Sequence, residues 1–328
     1  MLRCLFRESK DKEALVKQSL AVLLCALIAV APASAWNNTG HKTVAYIAYS
    51  RLNKKARQRV DALIRRHPMY AEFTKDAPPG KGLARIAFEN FAAWPDAIRG
   101  DKRFVDTPHV NSACQPLSPP KPAPGPVLPG FPDMQKHQDW HYDDIPFSTD
   151  GTPTHPSCTP NALTQIDAIL QDLASTAVAD DRKAFDLPWL EHLVGDVHQP
   201  LHAVSRFTRD HPGGDQGGNL VKVKNGSNLH SFWDQLPGTV DTPPVIAKLA
   251  ATVRKRVKSA DTLTPDQWLQ DSASVARDQA YSFTGSGTTA DPAVLSDVYH
   301  VNARNIALTR MGQAGYRLAA VLNDTLGK

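Results

Sequence analysis

Leu190-Glu191-His192-Leu193-Val194-Gly195-Asp196-Val197-His198-Gln199-Pro200-Leu201-His202 is the stretch that decides the fold. Its apolar residues Leu190, Leu193, Val194 and Val197 recur at helical spacing. His192 and Asp196 are four apart, so they leave the opposite face in the same direction, one turn above the other. One side of this helix packs while the other presents an imidazole and a carboxylate. Pro200 has no N–H to give, so it ends or kinks the helix and turns His202 in a new direction. His230 and Asp234 repeat the four-residue spacing within Asn228–Asp234. Imidazole nitrogen with carboxylate oxygen is a ligand set that zinc accepts. A lone pair of this kind reads most simply as a hydrogen bond. Two pairs, with a histidine just beyond a proline, favour a metal.

Working outward, further helical stripes run over Thr43–Leu52, Lys54–Arg66, Asn161–Leu173 and Leu83–Trp94, the last stopped by Pro95. Near the end Leu308, Met311, Gly315, Leu318 and Leu322 form another, with glycines that permit close helix contact. Proline-rich or turn-rich loops fill Ser118–Pro132, Ser148–Pro160 and His211–Gly218. Val221–Lys224 followed by Asn225-Gly226 predicts a β-hairpin. The expected fold is therefore mainly α, a single helical domain over 36–328 with one short hairpin and long loops.

Composition bounds the function. With 41% hydrophobic and 21% charged residues the 328-residue chain is globular, and its net charge of +4 is too small for a general nucleic-acid-coating surface. Residues 1–19 carry five basic and three acidic side chains, Leu20–Ala31 is apolar, and Ala33-Ser34-Ala35 offers a small-residue cleavage site. That is the pattern of a secretory signal peptide over residues 1–35, which sends the protein to the periplasm or outside the cell. Cleavage after Ala35 makes Trp36 the first residue and leaves Cys114 and Cys158, in an oxidising compartment, to form a disulfide or remain free thiols.

Three more blocks carry chemistry. Ala93–Arg99 puts Arg99 one helical turn from Asp96. Asp139–Asp144 sets His141 three residues before Asp144, beside Trp140 and Tyr142. Trp36–His41 places a histidine five residues from the freed amino terminus, whose amine and carbonyl can chelate a metal together. These blocks, over essentially the whole mature chain, resemble the zinc-dependent single-strand-specific nucleases of fungi and plants, which share a helical fold with bacterial phospholipase C.

That resemblance implies three zinc ions. Asp96, His141, His192 and Asp196 would hold the first; His202, His230 and Asp234 the second; Trp36, through amine and carbonyl, and His41 the third, with Asp196 shared between the first and third. It implies Arg99 and Asp144 as catalytic non-ligands, Asp144 orienting a hydroxide for in-line attack and Arg99 meeting the pentacovalent charge. Tyr142 and Asn219 would contact the nucleotide, Tyr142 by stacking on an unpaired base that a duplex would withhold. Single-stranded DNA and RNA would give products with 5′ phosphates, and nucleotide 3′ phosphates would be removed too. Phospholipase relatives carry Glu where Asp234 stands, so the chain sides with the nucleases. Two alternatives stay open: a phospholipase C acting on phosphorylated headgroups, and a zinc-holding protein with no activity.

Other residues read more plainly. His198 is expected to make a structural hydrogen bond behind the ligands. His67, His109, His137, His155, His211 and His300 are ordinary loop or surface histidines, and Asp143 is a weaker candidate than Asp144. Trp140 and Trp233 are packing walls, Lys222 and Lys224 face solvent, and Gly213–Gly218 lacks the strand and helix that a phosphate-binding loop requires.

Overall fold

The chain enters its fold at Asn37, whose side-chain oxygen accepts the Gly40 amide and starts α1 (Asn38–Tyr49). Then come α2 (Lys54–Arg66), α3 (Tyr70–Thr74), α4 (Leu83–Phe91) and α5 (Trp94–Ala97). A long loop leads to β1 (Ile145–Ser148), α6 (Ala162–Ala174), α7 (Asp180–Asp196) and β2 (Val204–Phe207). The fold closes with α8 (Leu229–Asp234), α9 (Pro243–Arg256), α10 (Pro265–Val275) and α11 (Asp297–Leu326). The computed structural model describes residues 36–77, 80, 82–108, 110, 114–261 and 264–328. The expected signal peptide and His109 lie outside these residues. The fold is mainly α, as expected. Among the described residues no helix is long and apolar enough to cross a membrane.

α7 is the axis of the molecule. It is buried all round from Lys183 to Asp196, so it has no solvent face at all. Its core side, with Trp189, Leu190, Leu193 and Val194, packs into an aromatic wall where Trp94 meets Trp189 edge-on at 6.0 Å. Its first turn is anchored to α2 through ion pairs of Arg59 with Asp180 and Arg66 with Asp181. α1 and α11 cross closely because Gly315 has no side chain: a Cβ there would lie 2.7 Å from Ile47. The expected stripe of α11 is buried, and the disulfide between Cys114 and Cys158 is formed.

Several expectations change. The regular sheet is a parallel pair, Ile145 opposite Val204 through Ser148 opposite Phe207, and the expected hairpin at Val221–Lys224 is reduced to one antiparallel bridge, Lys222 with Asn228. The hairpin goes no further because most of the backbone there bonds elsewhere: Leu229 donates to Val221 at 3.0 Å, but Lys222 donates to Gly287 and accepts from Ala293, and Lys224 donates to Ala293. Lys222 and Lys224 are nonetheless exposed. Pro95 does not stop α4, which ends at Phe91; the proline opens α5, where its missing N–H costs nothing. His67 and His137 are buried rather than on the surface. His67 lies among Phe91, Trp94 and Phe131, where burial lowers its pKa to about 3, and His137 stacks on Trp140 at 3.7 Å.

Burial also leaves a pH signature away from the site. Glu89 of α4 is buried beside Arg85, 2.9 Å away, and burial outweighs that partner and raises its pKa to about 7. A carboxyl whose pKa rises on folding contributes stability that is complete below its unfolded value, about 4.5, and lost as pH climbs through 7. The shift corresponds to something on the order of 3 kcal/mol. Glu89→Gln should therefore melt with the wild type at pH 5 and about 5 °C above it at pH 8.5. Circular-dichroism melts at the two pH values check this; an equal gap at both would refute it.

Candidate metal centre

The eight side chains expected as ligands come together. Asp96 arrives from α5, His141 from the 3₁₀ turn Gln138–His141, and His192 and Asp196 from successive turns of α7. His192 Nε2 lies 3.0 Å from His141 Nδ1, 3.3 Å from Asp196 Oδ2 and 3.8 Å from Asp96 Oδ1. His141 Nδ1 is 3.1 Å from Asp196 Oδ2 and 4.0 Å from Asp96 Oδ1. Ligand atoms about 2.1 Å from a tetrahedral zinc would stand roughly 3.4 Å from one another. The observed spacings bracket that edge.

A second group joins His202, from the 3₁₀ turn Pro200–His202, to His230 and Asp234 of α8. The two Nε2 atoms are 3.0 Å apart, and Asp234 Oδ2 is 3.5 Å from that of His230. The third contains His41, His192 and Asp196. His41 Nε2 is 3.3 Å from Asp196 Oδ1, and its ring stacks on His192 at 3.8 Å. Asp196 thus turns one oxygen to each of two groups. Gly195 permits the third group, because a Cβ there would lie 2.7 Å from His41 Nδ1. Trp36 precedes α1 with its indole buried, and the next residue's amide donates to the Asp234 carbonyl at 3.3 Å. The first residue expected after cleavage is so tied beside the second group.

Backbone carbonyls set the direction of three rings. The Nδ1 of His192 faces the Ala92 carbonyl at 2.8 Å, that of His202 the His141 carbonyl at 2.6 Å, and that of His230 the Gly217 carbonyl at 2.8 Å. A proton on each Nδ1 leaves Nε2 as a lone pair aimed inward, the arrangement that orients metal-binding histidines. Burial lowers the pKa of His192 to about 3 and holds His41, His141 and His202 well below the ordinary value, so the imidazoles are neutral. The Asp96, Asp196 and Asp234 carboxyls are all raised, chiefly by burial, with Arg99 as the opposing cation. His141 Nε2, Asp196 Oδ1 and both His41 ring nitrogens are buried without a hydrogen bond. Buried anions and unsatisfied donors and acceptors are costly alone. A divalent cation fits this set, converting three buried carboxyls from a liability into ligands.

The remaining expected site residues divide. The Arg99 guanidinium is 3.2 Å from Asp96 Oδ1, beside the first group. Tyr142, next to His141, keeps 40% of its surface exposed, which suits a ring that receives a planar partner. Asn219 is buried, its side chain held by the Gln216 carbonyl at 2.8 Å. Asp144 is not among the donors of the three groups: its amide bonds Ser157 Oγ, and its carboxyl is raised well above its ordinary range by burial and by Asp215 and Asp143.

Four supports escaped the sequence reading. Gln199 donates to Asp234 Oδ1 at 2.8 Å. The glycine-rich loop, dismissed as a phosphate cradle, instead serves His230: Gln216, Gly217 and Gly218 all have positive φ, and that bend aims the Gly217 carbonyl. Arg310 and Arg317 of α11 grip the end of α7, Arg310 through the His198 carbonyl at 3.2 Å and Arg317 through His198 Nε2 at 2.9 Å. His198 passes the hold on through Nδ1 to the Val194 carbonyl at 2.7 Å, the structural role expected of it. Glycine runs and helix-borne arginines signalled these only as turn and charge.

Three His/Asp groups buried in a helical body could each hold a metal ion. The S1/P1 Nuclease family profile matches residues 36–327, starting at Trp36, and the chain belongs to that family. It is 26% identical over 320 residues to Endonuclease 5 of Arabidopsis thaliana, covering 88% of this chain and 89% of the plant protein. Endonucleases 3 and 2 of the same plant are each 31% identical, over 158 and 163 residues, which is 42% and 43% of this chain and 50% and 51% of theirs. Nuclease chemistry, hydrolysis of phosphodiester bonds, follows from the family.

Proposed function

We infer that the mature protein begins at Trp36 and is a secreted or periplasmic zinc nuclease. Its substrates are single-stranded DNA and RNA, its products carry 5′ phosphates, and it also removes nucleotide 3′ phosphates. The observation that carries this reading is the convergence of His41, Asp96, His141, His192, Asp196, His202, His230 and Asp234 into three groups, each with its donor atoms within 4.8 Å. Three zinc ions would be held there, the third with the Trp36 amine and carbonyl. Bound zinc supplies Lewis acidity and water ionised near neutral pH. Arg99 meets the negative charge that grows on phosphorus. Asp144 orients the attacking water, Tyr142 stacks on an unpaired base, and Asn219 contacts the nucleotide. A duplex keeps its bases from such a ring, which supports preference for single strands.

The test compares protein processed to Trp36 with a form carrying one extra residue before it. Elemental mass spectrometry should find three zinc ions per chain against two, and the extended form should lose most of its cleavage of denatured DNA. Equal zinc and equal rates would refute the role of the terminus. Diacylglycerol released from lecithin, with no acid-soluble nucleotide from DNA, would point to a phospholipase instead.

A further inference from the structure

The net charge hides a strong asymmetry. Residues 51–66 hold seven basic side chains against Asp61 alone, and residues 248–258 hold five with no acid. These two stretches, far apart in sequence, meet in space. Arg51 donates to the Tyr316 hydroxyl at 3.1 Å, and that hydroxyl bonds the Val257 carbonyl at 3.2 Å, so α11 pins the α1–α2 junction to the end of α9. Arg254 lies over the Tyr46 ring at 5.8 Å and Arg57 over the Tyr49 ring at 5.1 Å, one turn further along α1. Arg59 and Arg66 are spent on Asp180 and Asp181. Lys54, Lys55, Lys255, Arg256 and Lys258 around this junction are all exposed.

This surface is set off from the metal centre along α1. His41 of the third group lies in the first turns of α1 and Arg51 just beyond its end, ten residues and about 15 Å apart at 1.5 Å per residue. An isolated basic cluster of this density attracts polyanions. Nucleic acid is the polyanion that a nuclease meets at every turnover, and it can reach both places when long enough.

We propose that the basic junction of α1, α2 and the end of α9 is an anchoring surface for the phosphate backbone of long substrate strands. It rests on the reading of single-stranded nucleic acid as substrate. A strand with the 3.4 Å spacing of a duplex strand needs roughly five nucleotides to cover 15 Å in a straight line, and more to follow the surface. Strands beyond about ten nucleotides gain from the anchor, because holding one part raises the effective concentration of the rest at the metal centre. Dinucleotides gain nothing.

The test is the quadruple variant Lys54→Gln, Lys55→Gln, Lys255→Gln, Arg256→Gln, none of them near the metal ligands. On a 60-nucleotide single strand at low salt its kcat/KM should fall at least tenfold, while the rate on a dinucleotide is unchanged. The slope of log(kcat/KM) against log[salt] on the long strand should shrink by about 3, near 0.7 per lost phosphate contact. Binding of a fluorescent 60-nucleotide strand in chelator, read by anisotropy, should weaken by a similar factor. That measurement does not depend on cleavage, so it still decides the matter if the wild type cuts nothing and the catalytic reading fails. An unchanged long-strand rate with unchanged binding overturns the proposal, as does equal loss on both substrates. Cosedimentation of the wild type, but not the variant, with phosphatidylglycerol vesicles, with strand binding the same in both, would assign the surface to lipid and overturn it too.

Discussion

Asp196→Asn is expected to cost at least one metal ion per chain and about four decades of rate on single-stranded DNA, while leaving the fold intact. Asp196 turns Oδ2 toward His141 and His192 and Oδ1 toward His41, so one substitution removes an anionic donor from two groups, leaving Asp96 in the first and no carboxylate in the third. An amide keeps the shape but brings no charge to balance a divalent cation. Loss of a partner that merely orients a ligand already costs 10- to 100-fold in affinity, and losing the shared ligand itself costs more. The stability consequence runs the other way. Burial raises the Asp196 carboxyl well above its ordinary value, with Asp96 adding to the effect. Without metal, the stability tied to that raised pKa is complete only in acid and is lost as pH rises. In chelator at pH 8 the Asn variant should therefore melt no lower than the wild type, and above it if the carboxylate is forced to ionise. Elemental analysis and thermal melts with and without chelator check both halves. Full metal content in the variant, or a rate within tenfold of the wild type, would show that Asp196 is not the shared ligand.

Much of this centre was legible because helical geometry is local. His192 and Asp196 must share a face at a spacing of four, and so must His230 and Asp234, whatever lies around them. The resemblance supplied which distant pairs meet, and the coordinates place Asp96 and His141 beside the α7 pair. What stayed illegible depends on partners that spacing does not name. Spacing assigns α7 one packed side and one that presents His192 and Asp196, yet it is enclosed on all sides, since α2, α6 and α11 also pack on it. The strands Ile145–Ser148 and Val204–Phe207 are four residues each and pair across more than fifty residues, so neither run announces itself. The Val221–Lys224 hairpin is cut to a single bridge for the same reason, most of its hydrogen bonds taken by Gly287 and Ala293. His67 and His137 looked like surface residues because nothing in their neighbours foretold the aromatic wall that closes over them.

Replacing Arg99 by Ala should separate chemistry from metal binding. The guanidinium sits 3.2 Å from Asp96 Oδ1, at the edge of the first group and outside the set of donor atoms. Its charge depresses His141 and His192, as any cation near an imidazole does, and by the same sign it opposes the arrival of a metal ion. Removing it should therefore leave metal content unchanged and affinity equal or slightly higher. The loss should appear in turnover. Charge accumulates on the phosphoryl oxygens only as the nucleophile closes in, and a fixed donor aimed there is worth about 10²- to 10³-fold in kcat. KM for a dinucleotide should move far less, since an interaction made mainly in the transition state acts on kcat and kcat/KM together. Arg99→Lys should recover only part of the rate, because an ammonium keeps the charge but not the planar two-pronged donor. Steady-state kinetics on a dinucleotide beside elemental analysis decide the case. Loss of metal in Arg99→Ala would make Arg99 a structural brace for Asp96, and an undiminished kcat would leave the pentacovalent charge to some other group.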